Sequence, residues 1–432
     1  MKKIAVLLLL VCGITGYSQQ QLTLSDAVNI ALKNSYDIQL AKNNLQISSI
    51  NNNIGVAGGL PTVTASANDN EQITSINQKY SDPTRNAKRP NVGSNNFSMG
   101  VTGSILLYNG SRVVATKERL AQLEKQNQQL LSAQVQNTMA AVMTKYYDVV
   151  RQQTYLNTIK QSIDVSKKRL EILTVRKDVG LSNNADIFQA QLDLNALFQS
   201  AQSQELVIEQ AKTDLLSLIY LKPDSSITVR DTILVDRQVN IDTIRTHLYL
   251  NPLLAAADQQ IHINELIEKE TAALRYPTVR ASTGYNFTSN KTAAGFSLLN
   301  QSYGPFIGLN LSIPIYNGGI SKRQQQVASI NTKSAVLERD NMILSYETGM
   351  VRTYQTYQNT LTQLKTEQEN YRLSTQLLEL VMQKFQLGQA TIIDVKQAQQ
   401  SFESEGYRLV NLNYSAKVAE IELKRLASQL VL

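Results

Sequence analysis

The residues that usually carry chemistry are scarce in this chain. Its 432 residues include two His and one Cys. That leaves no material for a Cys-based zinc site or a disulfide framework, and little for imidazole acid–base work. The spacings GxxxxGK[ST], HExxH, CxxC and GxSxG do not occur, so phosphate loops, zinc proteases, redox pairs and nucleophile elbows lack their motifs. Asp and Glu are scattered along polar faces, as on solvated surfaces. No enzymatic activity, cofactor or metal is expected. The net charge of +7 is mild. The basic runs Lys167-Lys168-Arg169 and Lys322-Arg323 are too short for a nucleic-acid patch. With 42% hydrophobic and 18% charged residues, composition alone reads as a soluble globule. The patterning of the chain argues against that reading.

Met1-Lys2-Lys3 is followed by an apolar run from Ile4 to Cys12. A short basic start and an apolar stretch of this size mark a secretory signal. Residues 1–18 are assigned to it, with cleavage after Ser18 and Gly16 as the other small residue. The run is too short for a membrane anchor. Lipidation at Cys12 is disfavoured by the bulky Val11 before it. No later stretch reaches 18 apolar residues, so no transmembrane helix is expected and the protein is exported.

The mature chain repeats itself. Tyr108-Asn109-Gly110 returns as Tyr316-Asn317-Gly318, 208 residues on. Gly180, Asp186, Gln189, Ala190 and Gln191 return as Gly388, Asp394, Gln397, Ala398 and Gln399 at the same offset. Residues 19–221 and 247–432 are therefore read as two copies of one unit, joined by a turn-rich segment at 222–246. Each copy has the same order: a helical pattern (25–57; 249–275), a Pro-led strand (60–70; 276–289) and a loop (71–95; 290–303). A second strand follows (96–108; 304–316), then a very long helix (111–179; 319–387), a Gly turn and a last helix (184–220; 391–430).

The strands alternate with period two. Met99, Val101, Ile105 and Leu107 correspond to Ile307, Leu309, Ile313 and Ile315 at the 208 offset, and Leu311 shares their parity. Small polar residues fill the other face. The apolar face could belong to a soluble sandwich, but the chain offers no second sheet to cover it. Ten to thirteen residues suit a tilted membrane strand. In lipid a sheet must close on itself, and four strands cannot close; about eight are needed. Two chains give a barrel too narrow for a channel, whereas three give twelve strands. These nine residues are therefore read as facing lipid in a homotrimer.

The helix pattern 111–179 would extend roughly 100 Å at about 1.5 Å per residue. A heptad seam runs through it at Val135, Val142, Val149, Leu156, Ile163 and Leu170. It repeats at Ile343, Met350, Tyr357, Leu364, Tyr371 and Leu378, a coiled-coil signal. The remaining faces are polar. The shorter helices stack in pairs to a similar length, giving four helical columns per chain and twelve per trimer.

In this order and twice over, these features resemble the TolC family of outer-membrane efflux and secretion channels. The resemblance rests on Leu22 to Asn34, on the strand starts Leu60-Pro61 and Tyr276-Pro277, and on the corners Leu107-Tyr108-Asn109-Gly110 and Pro314 to Gly319. It rests also on Phe385 to Val395. It implies a mixed fold: a twelve-strand membrane β-barrel continued by a twelve-helix coiled-coil barrel in the periplasm. It also implies an exit duct that receives substrates from an inner-membrane transporter through a periplasmic adaptor, as in tripartite efflux pumps or type I secretion. The alternative is a periplasmic coiled-coil scaffold without a pore.

Within the resemblance, Val179, Gly180 and Leu181, with Leu387, Gly388 and Gln389, are the tip where an adaptor docks. Asp394 matches an acidic position that lines the pore entrance, where three copies would form a carboxylate ring; it could equally be a helix N-terminal Asp. Gln397 stands where some relatives carry a second Asp. Ala390 stands where they carry a latch Arg. Asp186 matches that latch's carboxylate partner, Gln189 is the repeat counterpart of Gln397, and Phe385 occupies the place of a Tyr. A salt-bridged lock of the family's kind is therefore not expected.

Overall fold

A computed structural model describes residues 20–294 and 297–430. The assigned signal, 1–18, lies outside the described residues. The chain forms two compact units. The first contains residues up to 41, 131–252 and from 343 onward; the second contains 42–130 and 253–342.

In chain order the elements are β1 (Gln20–Gln21), α1 (Leu24–Asn34), α2 (Tyr36–Asn51), β2 (Thr62–Gln78) and β3 (Ala87–Tyr108). Next come α3 (Arg112–Asp178), α4 (Asn184–Leu218), β4 (Ile227–Thr228), α5 (Ile241–Leu248) and α6 (Pro252–Ala273). The chain then forms β5 (Thr278–Thr292), β6 (Leu299–Ser312), α7 (Ile320–Gln386) and α8 (Ile392–Leu426). Helices α3 and α7 each have 67 residues and α4 and α8 each have 35. Both pairs are offset by the 208 residues of the repeat. Among the described residues, no helix is long and apolar enough to cross a membrane.

The second unit holds a four-stranded antiparallel sheet in the order β2-β3-β5-β6. Its helices are joined by polar contacts. Arg119 on α3 donates to Glu270 on α6 at 2.7 Å, and Asn127 on α3 donates to Ser48 on α2 at 2.7 Å. Arg339 on α7 donates to Asp258 on α6 at 3.0 Å. The first unit contains an apolar core made by α1, the middle of α3, and the ends of α4 and α8. Two further clusters lie along the α3–α4 seam and beneath the hairpin turns. Of the twelve seam positions, Val142, Val149, Leu156, Ile163, Met350, Tyr357, Leu364 and Leu378 are buried, and the other four are half-buried. The heptad positions are thus on the packed side of both long helices.

Several boundaries differ from the expectation. The segment 71–95, expected as a loop, is mostly strand: β2 and β3 stay paired from Thr62↔Ser104 to Gln78↔Ala87. Polar composition hid the hairpin, because an antiparallel ladder satisfies backbone groups whatever the side chains. Pro90, which has no N–H, is absorbed by a bulge where Asn91 adopts φ 52°. Likewise β5 and β6 reach into 290–303. The second strand of the later copy, expected to run to 316, stops at Ser312; Pro314 follows, so Ile313 and Ile315 are exposed beyond the strand. The first helical pattern, 25–57, breaks into α1 and α2. Ser35 takes ψ 122° there, and its hydroxyl accepts from the Ile38 N–H at 3.3 Å. The last helix, expected to 430, ends at Leu426. Helix α5, capped by Asn240, begins inside the turn-rich joint 222–246 and runs two residues past its end.

Candidate functional site

Both hairpin turns of the first unit are built alike. Gly180 has φ +76° and Gly388 φ +78°, a conformation that side chains resist. Leu181 N–H donates to Arg176 O at 2.7 Å, and Gln389 N–H to Lys384 O at 2.8 Å. These bonds cap the ends of α3 and α7. Nothing lies within 4 Å of a Cβ built on Gly180, so conformation, not space, demands glycine there. Around the turns Val179, Leu181, Leu387 and Ile393 are exposed. They form an apolar tip above the cluster of Leu173, Ile187, Ala190, Phe385, Val395 and Phe402.

The helices leaving the turns begin at the two carboxylates singled out by the repeat. Asp394 and Thr391 form a capping box: Thr391 N–H donates to Asp394 Oδ2 at 2.8 Å, and Asp394 N–H to Thr391 Oγ1 at 3.2 Å. These hydrogen bonds hold the Asp394 carboxyl below its ordinary pKa. Asp186 N–H donates to the Asn183 side chain at 2.9 Å, and Ser182 Oγ donates to the Asp186 carboxylate at 3.3 Å. Each carboxylate is thus engaged at its own helix start. Gln397 is exposed. Gln189 is also exposed and donates to Asp193 at 2.9 Å. Phe385 is buried, with the Arg176 guanidinium 4.6 Å from its ring centroid and donating to its carbonyl oxygen.

The strongest polar cluster near the tip was not found by sequence reasoning. Asp193 on α4 accepts from Arg169 of α3 at 3.0 Å, from Lys396 of α8 at 2.9 Å and from Gln189 at 2.9 Å. Burial opposes ionisation of Asp193, but the Lys396 and Gln189 hydrogen bonds and the charges of Arg169 and Lys396 outweigh it and lower its pKa. Arg169 is wholly buried. Beside it, Ser166 donates to Gln399 at 3.1 Å, and Gln399 donates to Ser162 O at 3.3 Å. The partners lie 24 and 203 residues apart, and no local pattern signals such pairs. Farther along, Glu367 on α7 and Glu405 on α8 form an acidic pair near Arg408. Burial, then the neighbouring Glu405, pushes the Glu367 carboxyl up to about 7.

The sheet of the second unit separates its residues by face. Opposed residues in an antiparallel ladder share a face, so the register links Ala67, Met99, Phe287 and Tyr303 into one row. Ala65, Val101, Tyr285 and Pro305 form the next, and Ile105, Ala281 and Leu309 another. Ile307 and Leu311 lie on this face too. Beyond the aromatic row the same face turns polar, with Asp69, Glu71 and Lys291. The opposite face carries Thr64, Ser66, Asn68, Thr102, Ser104, Ser282 and Asn286. Among the described residues β2 and β6 each have one unpaired edge.

A sequence profile described as "Outer membrane efflux protein" matches residues 27–219 and 244–429. The chain is 24% identical to the outer membrane protein TolC of Vibrio cholerae, over 76% of both chains. In fold it is similar to the Campylobacter jejuni CmeC outer membrane channel, with a TM-score of 0.77 and 16% identity over 94% of this chain and 85% of that one. It is also similar to the Vibrio cholerae outer membrane protein VceC, with a TM-score of 0.74 and 17% identity over 94% and 95%.

Proposed function

The chain belongs to the outer membrane efflux protein family, and on that premise we propose that three copies close their sheets into one twelve-strand barrel. The barrel stands in the outer membrane and continues into a periplasmic helical tunnel. The assembly is the exit duct of an efflux or secretion system. It performs no chemistry and takes its cargo from a periplasmic adaptor and an inner-membrane transporter.

The single observation that carries this reading is the sheet: one continuous apolar face, one Thr/Ser/Asn face, and two unpaired edges. A long open edge is an aggregation hazard in water and intolerable in lipid. Joining β6 of one copy to β2 of the next removes every edge. The apolar face then meets lipid through Met99, Val101, Ile105, Ile307, Leu309 and Leu311, with Leu107 at its lower margin. At about 3.3 Å per residue and a tilt of about 40°, Val279 to Phe287 rises about 20 Å, within the height of a barrel's apolar band. Phe97, Phe287 and Tyr303 sit at its upper border as interfacial aromatics do. Asp69, Glu71 and Lys291 then stand outside the hydrocarbon. The hydroxyl- and amide-rich face lines a wet lumen.

The exposed apolar tips at Val179 to Leu181 and Leu387 to Gln389 are the adaptor contact. Asp394, exposed at the start of α8, supplies one carboxylate per copy to the tunnel entrance. Native mass measurement on protein extracted from outer membranes tests the assembly. Three chains are expected; a soluble single chain would support a scaffold instead, and two chains would refute the twelve-strand barrel.

A further inference from the structure

The repeat makes it possible to read one surface of the molecule from another. Inside the chain, α8 lies against α3 near the tip. The α3 residues at this seam are Val165, Arg169 and Ile172, which are buried or half-buried. The α8 residues are Lys396, Gln399 and Gln400, with Lys396 reaching Asp193 on α4 and Gln399 bonded to Ser166 and Ser162. Advancing the α3 positions by 208 gives Leu373, Leu377 and Leu380 on α7. Taking 208 from the α8 positions gives Phe188, Gln191 and Leu192 on α4. The hairpins that carry the two sets have equal helix lengths. Yet the counterparts are open: Leu373, Leu377 and Leu380 are 48%, 47% and 50% exposed, and Phe188 and Leu192 are 61% and 64% exposed. Four leucines and a phenylalanine thus stand in solvent where the equivalent positions form a packed seam.

From this equivalence we infer that α4 of one copy lies on α7 of the next, with Phe188 against Leu377, in the way that α8 lies on α3 within the chain. The occupant is a second copy because only the first hairpin of another chain continues the alternation of hairpins. The inference rests on the trimer proposed above and names the contact that holds its tip.

The two seams have opposite chemistry. Within the chain the seam is ionic, Arg169–Asp193–Lys396. Between copies the same places hold Leu377, Ser401 and Phe188, with no charge. The polar bond beside it is kept: Gln191 of one copy is placed to reach Ser374 of the next, as Gln399 reaches Ser166. Geometry-locked ion pairs hold a seam in one register, whereas apolar contacts tolerate sliding.

Disulfide trapping in the full chain tests this. Phe188→Cys with Leu377→Cys, oxidised with copper phenanthroline, is expected to convert most of the protein to a three-chain band on non-reducing gels, with each single variant uncrosslinked. Leu192→Cys with Leu373→Cys, one turn along, repeats the test at a second point. Native mass is measured on the same samples. A three-chain mass with no crosslink from either pair overturns the seam and leaves the trimer standing. A one-chain mass overturns both.

Discussion

The α3–α4 and α7–α8 hairpins have the same lengths, the same glycine turns and the same offset, yet they are held together differently. Along α3–α4 the seam is apolar: Leu156, Ile159 and Ile163 pack with Leu194, Leu197 and Ala201. At the places of Ile159 and Leu197, the second hairpin carries Glu367 and Glu405. The first hairpin is therefore welded by burial of apolar surface, and the second contains a buried acidic pair that must share or shed charge. The ionic cluster Arg169–Asp193–Lys396 then ties α8 back to the first hairpin. One frame thus yields a hairpin held by apolar burial and a second hairpin, with an acidic pair in its seam, fastened to it.

The largest effect should come from breaking that fastening. Asp193→Ala leaves the buried Arg169 unpaired and is expected to cost about 3–5 kcal/mol, read as a lower temperature for loss of the helical circular dichroism signal. Replacing the whole cluster by its counterparts, Arg169→Leu with Asp193→Ser and Lys396→Phe, should recover most of the loss, because a well-packed apolar seam can replace a buried ion pair.

Next in size is the close approach of α8 to α3 at Gly406, where a Cβ would lie 2.8 Å from Thr158 Cγ2. Its counterpart is Phe198, exposed on α4. Gly406→Leu should cost about 1–3 kcal/mol by overpacking, whereas Phe198→Leu should leave the isolated chain's stability nearly unchanged in the same melt.

The acidic pair should show as a smaller effect with a definite sign. Glu367 is raised from 4.5 to about 7, so the folded chain keeps a proton that the unfolded chain has released. The pair's stabilisation is complete below pH 4.5 and is lost as pH rises through about 7. Glu367→Ile with Glu405→Leu, copying the first hairpin, should flatten the decline in melting temperature over that window. An unchanged slope would remove the pair as its source.

The smallest structural effect belongs to Asp394. Asp394→Asn should leave the helix fold in place while lowering cation preference in single-channel recording. Unchanged selectivity and block by cations would remove the carboxylate ring.

What the sequence disclosed followed from spacing. The 208 offset located both long helices to within a residue, because helix length is set by where Gly180 and Gly388 end the run. Alternation in 97–107 and 306–315 placed the apolar face as far as Ser312, where the later strand ends, because a strand's parity leaves no freedom. The hairpin in 71–95 was hidden because Asn, Ser and Thr suit a loop and a wet strand equally. The Ser35 break was hidden because a single hydroxyl cap interrupts an otherwise helical pattern. The Asp193 cluster was illegible for a different reason. Its three charges come from three helices, and only packing brings them together.

Conductance tests the central claim most directly. Protein purified from outer membranes and added to a planar lipid bilayer is expected to insert as three-chain units and give discrete, uniform current steps. Properly folded three-chain protein that binds the bilayer yet passes no current would contradict the account of this chain as a duct.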